Sequence, residues 1–506
     1  MKPSIVFSLI ILLAAGLRLS GICFDSLWLD ESYQSMVGAF GHGAIDLAAD
    51  PAGKMTLFRF EPPASTAQLL ANFRSVDPLC PPLYAVLLNR WMVIIGQSDF
   101  AVRSLSMLIS TISVAMLCYF CRCLLTTRVA IFAGLLAAVS PFSIHYAQEA
   151  RMYSLVELTG LISGSCLLLI LREGITPLRS KLLVPLYVIS TWAMINTHYT
   201  SLFMAAAEGA LSVAFLLWSR QWRTLLVLVV AWLATALLWL PWLPMFLVSA
   251  GSRKESFYIA KKTDFIWALY ALFIRVPVNW LTFLCGHKVV AYAIPTYVTS
   301  AIMLLLSGKE IFKSSKERFS LCALWLWAIV PAGGLWLIDV LEGHRVIEVA
   351  RYSVFTAPAI FMLAAYGLAE AISWRKAFTW LAAVHFLFAG INIVYLHIVH
   401  QREPWKEMAA TVELNVPQDR LLLVSQHYDL ICLNRYLTKP RLQRGVSPAM
   451  GESVIRDIVN KNDSFALLTA QEGESLASMI PAEYKLEKRF DYSHGLHLRL
   501  YSRQIN

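Results

Sequence analysis

Two adjacent carboxylates, Asp30 and Glu31, follow the first hydrophobic segment of this chain. That segment, roughly residues 4–22, is long enough to cross a bilayer, which takes about 20 apolar residues. The acidic pair therefore lies where a predicted membrane helix ends and a long outer loop begins. A carboxylate at a membrane surface can act as a general base on a lipid-linked substrate. The alternative is that two acids simply end a helix in water.

Arginine side chains at other predicted helix ends have the chemistry to bind phosphate. Arg151 lies in the sequence Gln-Glu-Ala-Arg-Met-Tyr at 148–153, and Arg351 begins Arg-Tyr-Ser at 351–353. A planar guanidinium group can bind a phosphate through two parallel hydrogen bonds. His198 is a third candidate for contact with phosphate or sugar. As alternatives to phosphate binding, Arg151 and Arg351 simply extend from the membrane interface into water, and His198 has a structural role.

Aromatic and polar residues near these charged groups are candidates for substrate binding, because tyrosine rings can stack on a sugar or a prenyl chain. The candidates are Tyr33, Tyr84, Tyr146, Gln148, Glu149, Tyr153 and Tyr352. An interfacial aromatic belt explains most of the tyrosines equally well, and Glu149 can simply pair with Arg151. The predicted outer loops contain no Asp-x-Asp sequence, so we expect no obligatory metal and no other cofactor.

The composition is that of a polytopic membrane protein. Of 506 residues, 58% are hydrophobic and only 15% are charged, compared with roughly 25% charged residues in soluble domains. The net charge of +10 is compatible with a membrane protein, which concentrates Lys and Arg in its cytoplasmic loops. Basic runs interleaved with aromatic residues are absent from the sequence, so we expect membrane lipids rather than nucleic acid as surroundings.

Hydrophobic segments predict about eleven transmembrane helices with the N-terminus inside, as a retained signal anchor, and the C-terminus outside. The segments are 4–22, 103–121, 129–147, 152–171, 182–199, 200–218, 224–247, 289–307, 319–339, 352–370 and 377–398. The positive-inside rule is obeyed only if 81–97 does not span the membrane. That stretch begins with two prolines and contains Arg90, which favours an interfacial helix. The same reasoning applies to 264–286.

This topology places the acidic pair, the stretch 148–151, His198 and Arg351 on one outer face. From about residue 401 the composition changes, and short strand patterns alternate with helical ones. The strand patterns lie near 420–425, 465–469 and 496–501, and the helical ones near 404–416 and 451–460. We therefore expect two domains: a transmembrane catalytic domain over 1–400, whose first outer loop (24–102) carries interfacial helices, and a C-terminal extracytoplasmic α/β domain over 401–506.

The chain resembles the GT-C glycosyltransferases that use lipid-linked sugars. It is most similar to the branch that contains protein O-mannosyltransferases, lipid A aminoarabinose transferases and bacterial lipopolysaccharide-core glycosyltransferases. The resemblance covers about residues 5–400 and is carried by the acidic pair and by Gln-Glu-Ala-Arg-x-Tyr at 148–153. One departure is Cys80, which stands where the family often has the His of His-Pro-Pro-Leu-Tyr.

The resemblance implies a GT-C-like fold and an inverting hexosyl- or pentosyltransferase with a polyprenyl-phosphate sugar donor. The acceptor hydroxyl belongs to a glycan, a lipid or a protein. The resemblance makes Asp30 the candidate catalytic base, with Glu31 orienting the acceptor or tuning Asp30. Arg151, Arg351 and His198 are the expected ligands of the donor phosphate. The expected location is the bacterial cytoplasmic (inner) membrane, with the site and the C-terminal domain facing the periplasm or exterior.

Two other classes of function remain open at this stage. A polysaccharide polymerase or ligase of another class also uses outer-face arginines but does not require the early acidic pair. A lipid-linked-sugar transporter or flippase is expected to have charged residues near mid-membrane in broken, repeated helices, whereas most charges here lie at helix ends. The sequence leaves the sugar, the acceptor and the oligomeric state undetermined.

Overall fold

The computed structural model of the chain divides into two compact units. It describes residues 2–35, 54–55, 65–76, 80–175, 177–252, 265–270, 272, 290–312, 317–342, 346–425, 427–439, 441–470 and 474–504. The first unit comprises Met1–Ile22, Pro78–Tyr84 and Arg103–Ile398, and the second comprises Cys23–Asp77, Ala85–Val102 and Val399–Asn506. The first outer loop expected from the sequence therefore contributes mainly to the second unit.

The first unit is built from apolar helices. They are Pro3–Leu19, Asp99–Leu124 (from Arg103 onward), Thr127–Ala138, Pro141–Ala147, Tyr153–Glu173, Pro177–Ile195, Ser201–Trp218, Trp222–Trp239, Leu243–Ser252, Phe265–Tyr270, Val290–Glu310, Arg318–Glu342, Ala357–Glu370 and Arg375–Ile398. Within the described residues, seven helices are long and apolar enough to cross a membrane, or eight if a bent pair is counted as one span. The predicted class of polytopic helical membrane protein is confirmed, and the count of eleven spans stays a prediction.

The segment predicted as one span at 129–147 is two helices bent by 58°. The second helix has Pro141 in its first turn, and proline has no backbone N–H with which to continue the preceding helix. Ser140 caps the new helix, because its hydroxyl oxygen accepts a hydrogen bond from the Ser143 N–H at 3.3 Å. The second helix ends at Ala147, so the turn that follows it carries Arg151.

The ambiguous stretch 81–97 forms the short helix Leu83–Ile95, which has 13 residues. At 1.5 Å per residue it is about 20 Å long, less than the roughly 30 Å of a bilayer core, which agrees with a non-spanning helix. Of the second ambiguous stretch, 264–286, only residues 265–270 and 272 belong to the described part of the chain.

The second unit contains a mixed β-sheet. In the described part of the chain its strands are Lys54–Met55 (β1), Leu421–Val424 (β2), Arg441–Gly445 (β3), Ser464–Thr469 (β4), Tyr484–Asp491 (β5) and His497–Arg503 (β6). The order across the sheet is β1-β3-β2-β4-β6-β5. Strand β2 is parallel to β3 and β4, whereas β6 is antiparallel to β4 and β5. The predicted C-terminal α/β fold is confirmed.

Helices cover both faces of this sheet. The helices of the unit are Leu29–Tyr33, Thr66–Val76, Leu83–Ile95 (from Ala85 onward), Trp405–Asn415, His427–Asn434, Glu452–Asn460 and Glu474–Ala477. Leu422 and Val424 pack in one apolar cluster with Trp405, while Leu421 and Leu423 pack in another with Ile455. Because successive side chains of a strand point to opposite faces, the apolar run of β2 supplies both cores.

Candidate active site

Two guanidinium groups lie near the ring of one buried tyrosine in the first unit. The guanidinium carbons of Arg151 and Arg351 lie 6.0 and 5.7 Å from the centre of the Tyr153 ring. Arg351 is also 5.7 Å from the centre of the Tyr352 ring. These distances are within the range of cation–π attraction. With His198, these residues form what we call the arginine–tyrosine cluster: Arg151, Tyr153, His198, Arg351 and Tyr352.

His198 joins the cluster through its ring. Its ring centroid is 5.4 Å from that of Tyr352 and 6.2 Å from that of Tyr153. Nδ1 of the imidazole lies 2.7 Å from the hydroxyl oxygen of Thr200. This hydrogen bond fixes the orientation of the imidazole at the turn before helix Ser201–Trp218.

A hydrogen-bonded chain supports the backbone of Arg151. This residue lies between helices Pro141–Ala147 and Tyr153–Glu173 and is only 9% exposed. The Ser106 hydroxyl donates to the Arg151 carbonyl oxygen at 3.1 Å, and the Tyr84 hydroxyl lies 2.7 Å from the Ser106 oxygen. The predicted substrate residue Tyr84 is thus connected to the arginine–tyrosine cluster through Ser106.

Arg351 lies in the short segment Ala350–Thr356, where 3-10 turns are interrupted by a kink at Ser353. Ahead of this segment, the Asp339 carboxylate accepts hydrogen bonds from the backbone N–H groups of Val346 (2.8 Å) and Ile347 (2.7 Å). Further along, the Trp327 indole N–H donates to the Phe355 carbonyl oxygen at 2.9 Å. Both supporting side chains come from helix Arg318–Glu342, which therefore determines where the Arg351 segment runs.

Asp339 is a residue that the sequence analysis missed. It is fully buried, and the available signal was an acidic residue inside an apolar membrane helix, which is a functional candidate by default. Glu208 gave the same signal. Its buried carboxylate accepts from the Ser163 hydroxyl at 2.9 Å and lines an apolar cavity of about 180 Å³ between helices Tyr153–Glu173, Ser201–Trp218 and Arg318–Glu342.

The remaining predicted residues of the stretch 146–149 lie beside the cluster in different ways. The Tyr146 ring centre is 5.1 Å from that of Tyr153. Glu149 Oε1 lies 3.2 Å from His145 Nε2. The Gln148 side chain donates to the carbonyl oxygens of Arg18 (3.1 Å) and Ser20 (2.6 Å), which ties this turn to the end of the first helix.

The acidic pair and Tyr33 belong to the second unit, where they form helix Leu29–Tyr33. Glu31 is 0% exposed, and its Oε2 accepts a hydrogen bond from the Trp28 N–H at 3.4 Å. Asp30 and Tyr33 are half-buried. The two carboxylates therefore differ: Glu31 stabilises the start of its own helix, whereas Asp30 is more accessible. The role of Asp30 as the base stays a prediction.

No group of three or more His, Cys, Asp or Glu side chains that could hold a metal ion occurs within the described residues. Metal independence stays a prediction from the sequence.

Comparison with known proteins supports the fold expected from the sequence. Residues 80–247 match the family model described as dolichyl-phosphate-mannose-protein mannosyltransferase. A search of curated proteins finds no match. Among solved structures, the chain is similar to ArnT from Cupriavidus metallidurans in the apo state, with a TM-score of 0.60 and 12% identity over 98% of this chain and 97% of that one.

Two further solved structures contain lipid phosphates. ArnT bound to undecaprenyl phosphate has a TM-score of 0.59 at 12% identity, with 97% of each chain covered. The archaeal oligosaccharyltransferase AglB from Archaeoglobus fulgidus, in complex with an inhibitory peptide and a dolichol-phosphate, has a TM-score of 0.52 at 11% identity, covering 99% of this chain and 74% of that one. The resemblance to GT-C glycosyltransferases is thereby confirmed at the level of the fold.

Proposed function

We propose that this chain is an inverting glycosyltransferase that moves a sugar from a polyprenyl phosphate to an acceptor hydroxyl. The observation that carries the proposal is the pair of guanidinium groups on Tyr153. Two guanidinium groups within 6.0 Å of the centre of one buried ring suit a phosphate ligand. The similar ArnT structure binds undecaprenyl phosphate, and the similar AglB structure contains dolichol-phosphate, which supports a lipid-linked donor here.

The reaction needs one base and stabilisation of one leaving group. As the acceptor oxygen attacks the anomeric carbon, Asp30 takes the acceptor proton. The bond between the anomeric carbon and the phosphate oxygen breaks, and polyprenyl phosphate leaves with the electron pair. Arg151 and Arg351 stabilise the negative charge that develops on that phosphate, and His198 assists them. One in-line displacement inverts the anomeric centre.

The other predicted residues bind the sugar and the lipid. Tyr146 and Tyr352 are half-buried and offer ring faces that can stack on sugars and prenyl groups. Tyr153 is buried and serves the substrate through the two arginines that its ring contacts. Glu31 keeps the helix of Asp30 in place. We also assign substrate contacts to Tyr33, Gln148 and Glu149, with Tyr84 acting through Ser106.

A lipid-linked donor fits the proposed location on the outer face of the bacterial inner membrane. Sugar nucleotides and ATP are absent there, so the sugar must arrive already activated and attached to the lipid. The acceptor is then a periplasmic hydroxyl on an envelope glycan such as lipopolysaccharide, on a lipid or on a protein.

Transfer from a panel of radiolabelled polyprenyl-phosphate sugars in membranes tests this function. The panel contains mannose, galacturonic acid and aminoarabinose donors, with native envelope acceptors present. We expect one donor to be consumed by the wild type and not by the double variant Arg151→Gln/Arg351→Gln at equal abundance. If donors cross the bilayer without covalent transfer, the chain is a flippase. Transfer that survives the double change would instead contradict the role of the arginine–tyrosine cluster.

A further inference from the structure

A tyrosine of the C-terminal region holds the backbone just ahead of the acidic pair. The residues 23–35, which we call the acidic-pair segment, lie in the same compact unit as residues 399–506. The Leu27 N–H donates to the Tyr436 hydroxyl oxygen at 2.7 Å. The Tyr436 hydroxyl in turn donates to Asp99 Oδ2 at 2.8 Å. Because a phenol has one proton to donate, Asp99 engages that proton and the oxygen accepts from Leu27.

Asp99 is itself fixed by two cations. Lys406 Nζ lies 3.0 Å from Oδ2, and the Arg435 guanidinium lies 3.3 Å from Oδ1. A carboxylate with two cationic partners is a strong and well-oriented acceptor. Burial raises the pKa of Tyr436, and the charge of Asp99 adds to this effect. The phenol therefore keeps the proton that it donates to Asp99.

Further contacts hold the acidic-pair segment on either side of Leu27. The Lys406 backbone N–H donates to the Ser26 hydroxyl at 3.1 Å, and its ammonium group donates to the Cys23 carbonyl oxygen at 3.1 Å. The Arg402 guanidinium carbon lies 4.1 Å from the centre of the Trp28 ring. Leu29 packs against the apolar core of the α/β domain. The chain is thus held at successive points up to the residue before Asp30.

We infer that the C-terminal domain positions Asp30 for catalysis, with Tyr436, oriented by Asp99, as the positioning residue. The inference rests on the proposed function, because it assumes that Asp30 is the base. Helix Leu29–Tyr33 has only five residues, too few to be stable without external contacts. Holding the Leu27 amide therefore fixes the start of the helix that carries the base, and a displacement of about 1 Å can lower a rate about 10²-fold.

The variant Tyr436→Phe removes only the hydroxyl. A matched control is Tyr484→Phe in the same domain, where the lost hydroxyl contacts the carbonyl oxygens of Val459 (2.9 Å) and Asn462 (2.8 Å). Tyr484 is buried and Tyr436 is half-buried, and each change removes one hydrogen-bonded hydroxyl. Hydrogen–deuterium exchange of the full-length protein in detergent should show faster exchange of the peptide containing Leu27 in Tyr436→Phe, by at least about fivefold, and no change there in Tyr484→Phe.

Transfer kinetics with the donor identified by the panel complete the test. We expect Tyr436→Phe to lower kcat by about tenfold or more with an unchanged KM for the donor, and Tyr484→Phe to keep the wild-type kcat. Unchanged exchange at Leu27, or equal kcat losses in the two variants, would overturn the inference while leaving the proposed function intact. If exchange changes as expected but the wild type itself transfers no sugar, the proposed function fails, and the catalytic role of Tyr436 fails with it.

Discussion

At the scale of single residues, the candidate site is built around guanidinium groups that lie against aromatic rings. Arg151 and Arg351 share the Tyr153 ring, which is only 1% exposed. Because little water reaches this ring, a phosphate bound beside it interacts with the two charges more strongly than it would at the protein surface. The pair therefore suits a leaving group whose negative charge grows during the reaction.

Replacing Arg351 with lysine tests whether the shape of the cation matters. Arg351→Lys keeps the positive charge but loses the planar fork that binds phosphate at two points. We expect kcat/KM for the lipid-linked donor to fall about 10²-fold, measured by initial transfer rates at equal protein abundance. The control is Arg375→Lys, an exposed cation at the start of helix Arg375–Ile398. If kcat/KM for Arg351→Lys equals that of the control, Arg351 does not bind the donor phosphate through its planar guanidinium.

The residue types of the site were predictable from the sequence, but their contacts were not. Arg151, His198 and Arg351 attract attention because each is a polar residue at the end of an apolar segment. Nothing in their spacing indicates that they meet at Tyr153, since this contact depends on the packing of distant helices. Asp339 could have been noticed as an acid inside an apolar segment, but its role, accepting two backbone N–H groups, depends on the folded turn at 346–347.

Glycine determines how closely the helices of the first unit approach one another. A Cβ atom on Gly160 would lie 3.1 Å from the Cβ of Phe355, which belongs to the segment that carries Arg351. A Cβ atom on Gly367 would lie 1.8 Å from the backbone oxygen of Met303. Small residues allow this close approach between membrane helices. The positions of the helices therefore depend on these two glycines.

Gly367→Ala should destabilise the protein although alanine favours a helix. The new methyl group meets a backbone atom, which cannot rotate away, so the two helices must separate at a cost of about 1–3 kcal/mol or more. We expect a lower Tm in detergent, measured by thermal unfolding. Gly390→Ala is the control, because a Cβ atom there has no neighbour within 4 Å and alanine gains up to about 1 kcal/mol in helix propensity. Equal Tm values for the two variants would contradict the close packing.

The secondary structure agrees with the prediction from the sequence where the apolar pattern is strong. The strands near 420–425, 465–469 and 496–501 were predicted, and they are β2, β4 and β6. Strands β3 and β5 were missed because their sequences, Arg-Leu-Gln-Arg-Gly and Tyr-Lys-Leu-Glu-Lys-Arg-Phe-Asp, are polar and show no apolar run. Most residues of β5 are exposed, so pairing with β6 rather than burial stabilises this strand.

At the scale of the whole molecule, the predicted topology places the C-terminus on the outer face. We expect alkaline phosphatase fused after Asn506 to be active, because this enzyme folds only outside the cytoplasm. Green fluorescent protein at the same position should not fluoresce, because it folds only in the cytoplasm. A control fusion truncated at Arg220, in a predicted cytoplasmic loop, should give the opposite result. Fluorescence from the Asn506 fusion would contradict an outer-face site.

The sequence does not predict which segments of the chain make up the second unit. Its sheet includes β1, where Lys54 pairs with Leu442 of β3, and its core contacts Leu29. Such contacts join residues that are hundreds of positions apart, where neither periodicity nor composition carries a signal. The sequence predicts the acidic pair at the start of the first outer loop, but the hydrogen bond between Leu27 and Tyr436 just ahead of that pair appears only in the folded chain.

The rate of sugar transfer by Asp30→Asn tests the central claim most directly. Asparagine has nearly the same shape as aspartate but cannot take the acceptor proton, so we expect a rate about 10² to 10⁴ times lower at saturating donor. Asp457→Asn, which changes an exposed carboxylate in the C-terminal domain, should transfer at the wild-type rate. If Asp30→Asn accumulates normally and also transfers at the wild-type rate, Asp30 is not the base and the proposed mechanism is wrong.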